Sequence, residues 1–176
     1  MDTKLDIKQI EFAIARHFGV RDNIIVPNIS WGFFRTHEAD LLIMSKTGYL
    51  TEVEIKRSYN DLLADFKKTT SHYEGKVEHM YYAVPVSIAE KSWKAITESF
   101  YGQTVKCGLL TYYESGFVKE VVTAPSISAI WHRNKQDHKL FLEEQLQLAR
   151  LGVMRYWSMQ ERILTKQNYE PPKDTF

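Results

Sequence analysis

The sequence predicts an α/β protein in which helices flank a central mixed β-sheet. Three observations predict it. Short apolar β-rich runs alternate with amphipathic helical stretches, the pattern of a layered sheet-and-helix domain. The first of these runs are joined by connections too short for crossovers, so they pair antiparallel. The chain has 176 residues, 44% hydrophobic and 26% charged, which is enough for one domain with a substantial core.

Residues 4–18 read as a helix, because Ile7, Ile10, Ile14 and Phe18 recur on one face and Gly19 supplies a stop. The run IIVPNISWGFF (24–34) is β-rich but interrupted by Pro27 and Gly32, which suits an edge or bulged strand. ADLLIM and YLTEVEI form a hairpin around Ser45 to Gly48. Residues 59–72 look helical, with Leu62, Leu63 and Phe66 inward. HMYYAVP is a short apolar strand closed by Pro85. The helix that follows is expected to be capped by Ser87, with Glu90 three residues on as a capping box. VKCGLLTYY and GFVKEVVTA are two further strands. A long helix is expected over about 136–164, with Leu140, Leu142, Leu146, Leu148, Leu151 and Met154 among its apolar residues. The expected order is α-β-β-β-α-β-α-β-β-α in one domain over 1–165, with a flexible tail at 166–176.

Composition excludes several function classes. The formal net charge is +1, so any polyanion site must be a local patch. Cys107 is the only cysteine, which excludes an intrachain disulfide and a cysteine-rich zinc site and fits a reducing, cytoplasmic setting. The N-terminal residues lack the pattern of a signal peptide, and no apolar run approaches the ~20 residues of a membrane span.

The stretch HEADLLIMSKTGYLTEVEIKRS (37–58) carries the chemistry. Residues two apart on a strand share a face, so Glu54 and Lys56 point one way while Val53 and Ile55 point the other way, into a core. The hairpin brings Asp40 level with Glu54. Two close carboxylates repel, and a hard divalent cation resolves that repulsion. Mg²⁺ takes one or two carboxylates together with water and substrate phosphate. A lysine beside such a site can hold or activate a water, or stabilise developing charge. Glu11 lies within the apolar stripe of the first helix, between Ile7 and Phe18, which is an unusual place for a carboxylate.

Asp40, thirteen intervening residues, then Glu54-Ile55-Lys56 on a hairpin followed by a helix resembles the PD-(D/E)XK nuclease superfamily. The wider stretch VEIKRSYNDLLADFKKTTSHYEGKVEHMYYAVP resembles the MmcB-like DNA-repair proteins, and the position of Glu11 resembles Holliday-junction-resolvase-like nucleases. The resemblance covers about residues 4–125 and leaves out the long C-terminal helix. Ala39 stands where the motif has proline. The resemblance implies a restriction-endonuclease-like sandwich with an extra long C-terminal helix. It implies Asp40, Glu54 and the Ile55 carbonyl as ligands of Mg²⁺ or Mn²⁺, with Glu11 as an accessory acid and Lys56 as the catalytic lysine. The implied activity is DNA phosphodiester hydrolysis in repair or recombination. Alanine at Asp40 or Lys56 is then expected to abolish cutting with the fold intact.

Other readings stand beside this one. Asp40, Glu54 and Lys56 could form a cross-strand ion pair on a solvated face, as antiparallel sheets often do, and Glu52 is expected at the surface or behind the site. Glu11 could be a boundary residue of its helix. Arg57, Lys67 and Lys68 are candidate phosphate contacts, in a stretch that also holds His72 and Lys76. Its alternative is a solvated helix face offset by Asp61 and Asp65. His37 and Tyr73 are weaker candidates near the site, and Trp31, Phe33, Phe34, Trp93, Trp131 and Trp157 read as packing. A catalytically silent nuclease-fold module that binds DNA or protein is the alternative function. A homodimer, or an oligomer built through the C-terminal helix, is a further candidate assembly.

Overall fold

The computed structural model describes residues 4–30, 38–67, 76–100 and 103–166. Helix α1 (Ile7–Phe18) opens on an Asp6–Gln9 capping box and stops at Gly19 in a left-handed conformation. Three antiparallel strands follow: β1 (Ile24–Ile29), β2 (Ala39–Met44) and β3 (Leu50–Ile55). The turn between β2 and β3 closes with Gly48 at φ +86°, where a side chain would be strained. Helix α2 (Tyr59–Asp65) then crosses to β4 (Val77–Pro85), which pairs parallel to β3. Helix α3 (Ala89–Ser99) leads to β5 (Gly108–Tyr112), parallel to β4, and β6 (Val118–Val122) returns antiparallel. A short helix α4 (Ile127–Ile130), a 3₁₀ turn at Lys135–His138 and the 25-residue helix α5 (Leu142–Lys166) complete the chain. The sheet order is β1-β2-β3-β4-β5-β6, so Pro27 sits on an edge strand, where its missing N–H costs no ladder bond.

Each face of the sheet builds its own core. One face carries Leu41, Ile43, Val53, Ile55, Ala83 and Leu110 against Ile10, Ala13 and Ile14 of α1. The other carries Leu42, Met80, Tyr82, Val84 and Leu109 against Leu62, Ile96, Ile127 and Leu148 of the remaining helices. The expected α/β sandwich, the antiparallel first strands and the long C-terminal helix on the sheet are all present.

Several local expectations are corrected. Ser87 does not cap α3. Val86–Ile88 form a 3₁₀ turn after Pro85, and the helix begins at Ala89 without a side-chain cap. The long helix begins at Leu142, because Leu140 is buried and donates its N–H to the Gly48 carbonyl, which holds the chain extended just before it. Trp131 and Trp157 are exposed, whereas Trp93 packs on the core and Cys107 is buried as expected. Trp31, Phe33, Phe34, His37, Lys68, His72 and Tyr73 lie outside the described residues, as do the outer ends of the predicted 24–34 strand and 59–72 helix.

Candidate active site

The β2–β3 ladder is registered Leu41 with Val53, so Asp40 is level with Glu54. The register is set by the tight turn, in which Gly48 N–H donates to Ser45 O. Beyond Leu41 the Asp40 side chain takes over the bonding. Its Oδ2 accepts the Ile55 N–H at 2.8 Å. A charged acceptor for a backbone amide is among the stronger neutral-to-ionic hydrogen bonds, and it fixes Asp40 at the carboxyl end of β3.

Glu54 and Lys56 share the face that carries Leu42 and Met80, and both are nearly fully buried. Lys56 Nζ lies 2.9 Å from Glu54 Oε2 and 2.9 Å from Asp65 Oδ1. Asp65 also accepts the Tyr82 hydroxyl at 3.1 Å. Tyr112 donates its hydroxyl to the Lys56 carbonyl, and Lys56 N–H donates to Ala83 O, which continues the β3–β4 pairing. Burial alone would lower the Lys56 pKa. The Glu54 and Asp65 carboxylates more than offset that and raise it above the ordinary lysine range.

Asp40 behaves in the opposite sense. Burial pushes its carboxyl above the ordinary value, against the Ile55 amide and the Lys56 charge, and the nearby Asp61 and Glu11 carboxylates push it further. Glu11 is buried on α1, and Lys8 bonds both its oxygens at 2.9 and 2.7 Å. Since the Lys8 side chain is 64% exposed, that pair is solvent-screened and easily exchanged. Arg57 is exposed beside the site, with its guanidinium on the Leu5 carbonyl and its N–H on Asp61. Lys67 is exposed just past α2. Lys76 turns away toward α5, where it pairs with Glu144 at 2.7 Å and lies over the Phe141 ring.

Asp40, Ile55, Lys56 and Glu54 therefore gather at the carboxyl end of β3, and Glu11 is close enough to Asp40 to act on its charge. Asp65 completes the cluster and is not the solvated offset charge that its sequence context suggests. Its signal in the sequence is faint: it falls three residues after Leu62, on the inward side of a seven-residue helix. Of the two places expected for Glu52, the surface is excluded. Glu52 is fully buried, at a position level with Leu42.

Among the described residues no three His, Cys, Asp or Glu side chains are set together to hold a metal ion. The donor chemistry nevertheless suits a hard cation that needs only one or two carboxylates. Acids outnumber bases here, with Asp40, Glu54, Asp61, Asp65 and Glu11 against Lys56, Arg57 and Lys8. The Asp61 and Glu11 carboxylates add a repulsion at Asp40 that is smaller than the effect of its burial. A divalent cation beside Asp40 would relieve it.

No protein-family model matches the chain, and no curated protein matches it. A solved structure, the SPO1766 protein of unknown function from Silicibacter pomeroyi, is similar over 97% of this chain and 99% of that one, with a TM-score of 0.59 and 16% sequence identity. At that identity the likeness establishes a shared fold and nothing about activity.

Proposed function

We propose that this chain is a metal-dependent nuclease that hydrolyses DNA phosphodiester bonds in DNA repair or recombination, a member of the PD-(D/E)XK type. The observation that carries the reading is the Asp40–Ile55 hydrogen bond, which sets Asp40 at the end of β3 beside Glu54 and Lys56. The α-β-β-β-α-β order, with an antiparallel meander and a parallel fourth strand, agrees with it.

Asp40 would hold Mg²⁺ or Mn²⁺, with Glu54, the Ile55 carbonyl and Glu11 as the further oxygen donors. When bound, the ion supplies charge to the scissile phosphate and acidifies a water. Lys56 stays protonated throughout the neutral range because two carboxylates hold its proton. It is therefore a donor that orients water or stabilises developing negative charge, not a general base. Asp40 must be ionised to bind a cation, and its raised pKa makes that binding weaken on acidification. Arg57 and Lys67, both exposed, would contact backbone phosphates and position the strand.

The test is a cleavage screen on end-labelled duplex, single-stranded, nicked and branched DNA with Mg²⁺ or Mn²⁺. Wild type should cut at least one of these, and Asp40→Asn should lose about 100-fold or more. No cutting of any substrate by wild type would defeat the proposal.

One observation favours a second reading, a catalytically silent module that binds DNA or protein. Lys56 is only 4% exposed and its ammonium is spanned by Glu54 and Asp65, as in a structural ion-pair network. Metal-dependent thermal stabilisation with no cleavage would favour it.

A further inference from the structure

Lys56 shares its ammonium between two carboxylates, and only Glu54 belongs to the proposed metal ligands. Glu54 Oε2 and Asp65 Oδ1 each lie 2.9 Å from Nζ. Asp65 comes from a different element. The Ser58 side chain caps α2 by accepting the Asp61 N–H, and the helix then turns Leu62 and Asp65 inward. The last residue of α2 thereby returns over the end of β3. Asp65 is held in turn from β4, where the Tyr82 hydroxyl donates to its Oδ2 at 3.1 Å. Tyr82 is level with Glu54 in the β3–β4 ladder, and its ring centroid is 5.9 Å from Lys56 Nζ. The Phe66 ring packs edge-on against that of Tyr82. Glu54, Lys56, Asp65 and Tyr82 are all buried.

A lysine ends a flexible stem in an ammonium with three donors. Two carboxylates fix two of those donors and so fix where the third points. An oxygen of Glu54 turned to a cation gives up part of its hold on Lys56, and a buried ammonium left without a carboxylate is costly. Asp65 removes that conflict. It keeps Lys56 paired and in place whichever way Glu54 turns. The Tyr82 hydroxyl on its second oxygen keeps the Asp65 carboxylate from rotating away.

We propose that Asp65, held by Tyr82, is the positioning residue for Lys56 and releases Glu54 to serve a divalent cation. The inference rests on the nuclease reading of the β3 site.

Asp65→Asn and Tyr82→Phe in the full chain test it, because each nearly keeps the side chain's size and leaves the Lys56–Glu54 pair in place. Both should fold by circular dichroism. In metal-free protein labelled with ¹⁵N at lysine, the buried Lys56 ammonium should give a slowly exchanging signal in wild type and none in Asp65→Asn. Asp65→Asn should bind Mn²⁺ about 10- to 100-fold more weakly. Its kcat on DNA should fall in the same range, with KM for DNA unchanged. Tyr82→Phe should lose about 3-fold in kcat. A role confined to stability would lower the unfolding free energy and leave kcat as it was. Folded Asp65→Asn with wild-type kcat, or with the wild-type ammonium signal, would overturn the proposal. If Asp65→Asn fails to fold, Tyr82→Phe decides, and wild-type kcat there overturns it. A wild type that cuts no DNA defeats the nuclease reading and this inference with it. Cutting by wild type that both variants retain in full defeats this inference alone.

Discussion

Lys56 Nζ stands 2.9 Å from Asp65 Oδ1, joining the last turn of α2 to the end of β3 in a contact that excludes water. With Glu54 on the other side, one ammonium serves two buried carboxylates. Removing it would leave two charges buried without their cation. Lys56→Met should therefore lose about 3–5 kcal/mol of stability at neutral pH, with part regained in acid as the carboxylates protonate. Urea unfolding at two pH values measures this. Alanine at Lys56 is therefore expected to perturb folding, so a loss of cutting in that variant would not by itself report on chemistry. Asp40 is the cleaner position for an activity test.

The same pair gives the chain an alkaline limit. Folded Lys56 has a pKa raised above the ordinary 10.5. Below 10.5 both states hold the proton and the stabilisation is complete. As pH rises through the window up to the folded value, only the folded state holds the proton, so stability falls. The difference in unfolding free energy between wild type and Lys56→Met should shrink across that window. A constant difference would show that the ammonium is not coupled to the two acids.

Asp40 tests the opposite sign. Its folded pKa is raised above 3.8, so the folded state binds the proton more tightly, and the carboxylate costs stability as pH rises through the folded value. Asp40→Asn keeps an acceptor for the Ile55 amide and removes the charge. It should match or exceed wild-type stability at neutral pH. Asp40→Ala leaves that amide without its acceptor and should lose about 1–3 kcal/mol. Thermal melts of the two variants side by side separate the hydrogen bond from the charge.

A second buried acid anchors the C-terminal elements. Glu78 on β4 is fully buried; its Oε1 accepts hydrogen bonds from Ser126 and Ser128, and His138 Nδ1 lies 3.4 Å from Oε2. Ser128→Ala should cost about 1–3 kcal/mol by removing a donor from a buried carboxylate. Hydrogen exchange should quicken over α4 and the following 3₁₀ turn before it quickens in the sheet.

Much of the fold was legible because its signals are local. Pro27 marked an edge strand, the Ser45 to Gly48 turn set the β2–β3 register, and that register put Asp40 level with Glu54. The destination of Lys56 was not legible. Its partner Asp65 sits on a helix of seven residues, too short for periodicity to separate an inward acid from a solvated one. Glu52 stayed undecided between the surface and a place behind the site for a related reason: only the packing of helices over that face buries it. The Ser87 capping signature failed because Pro85 is followed by a tighter turn, which places Ser87 inside the turn and not at its boundary. The outer face of α5 carries leucines and aromatics that the sequence alone leaves divided between the sheet and a partner.

The most direct test of the metal site is a calorimetric titration of Mn²⁺ into wild type and Asp40→Asn, each with a non-cleavable DNA present to supply phosphate oxygens. A metal site at Asp40 predicts saturable binding by wild type that strengthens as Asp40 ionises with rising pH, and loss of that binding in the variant. Equal binding by both proteins, or binding by neither, would contradict it and leave Glu54, Lys56 and Asp65 as a structural ion-pair network.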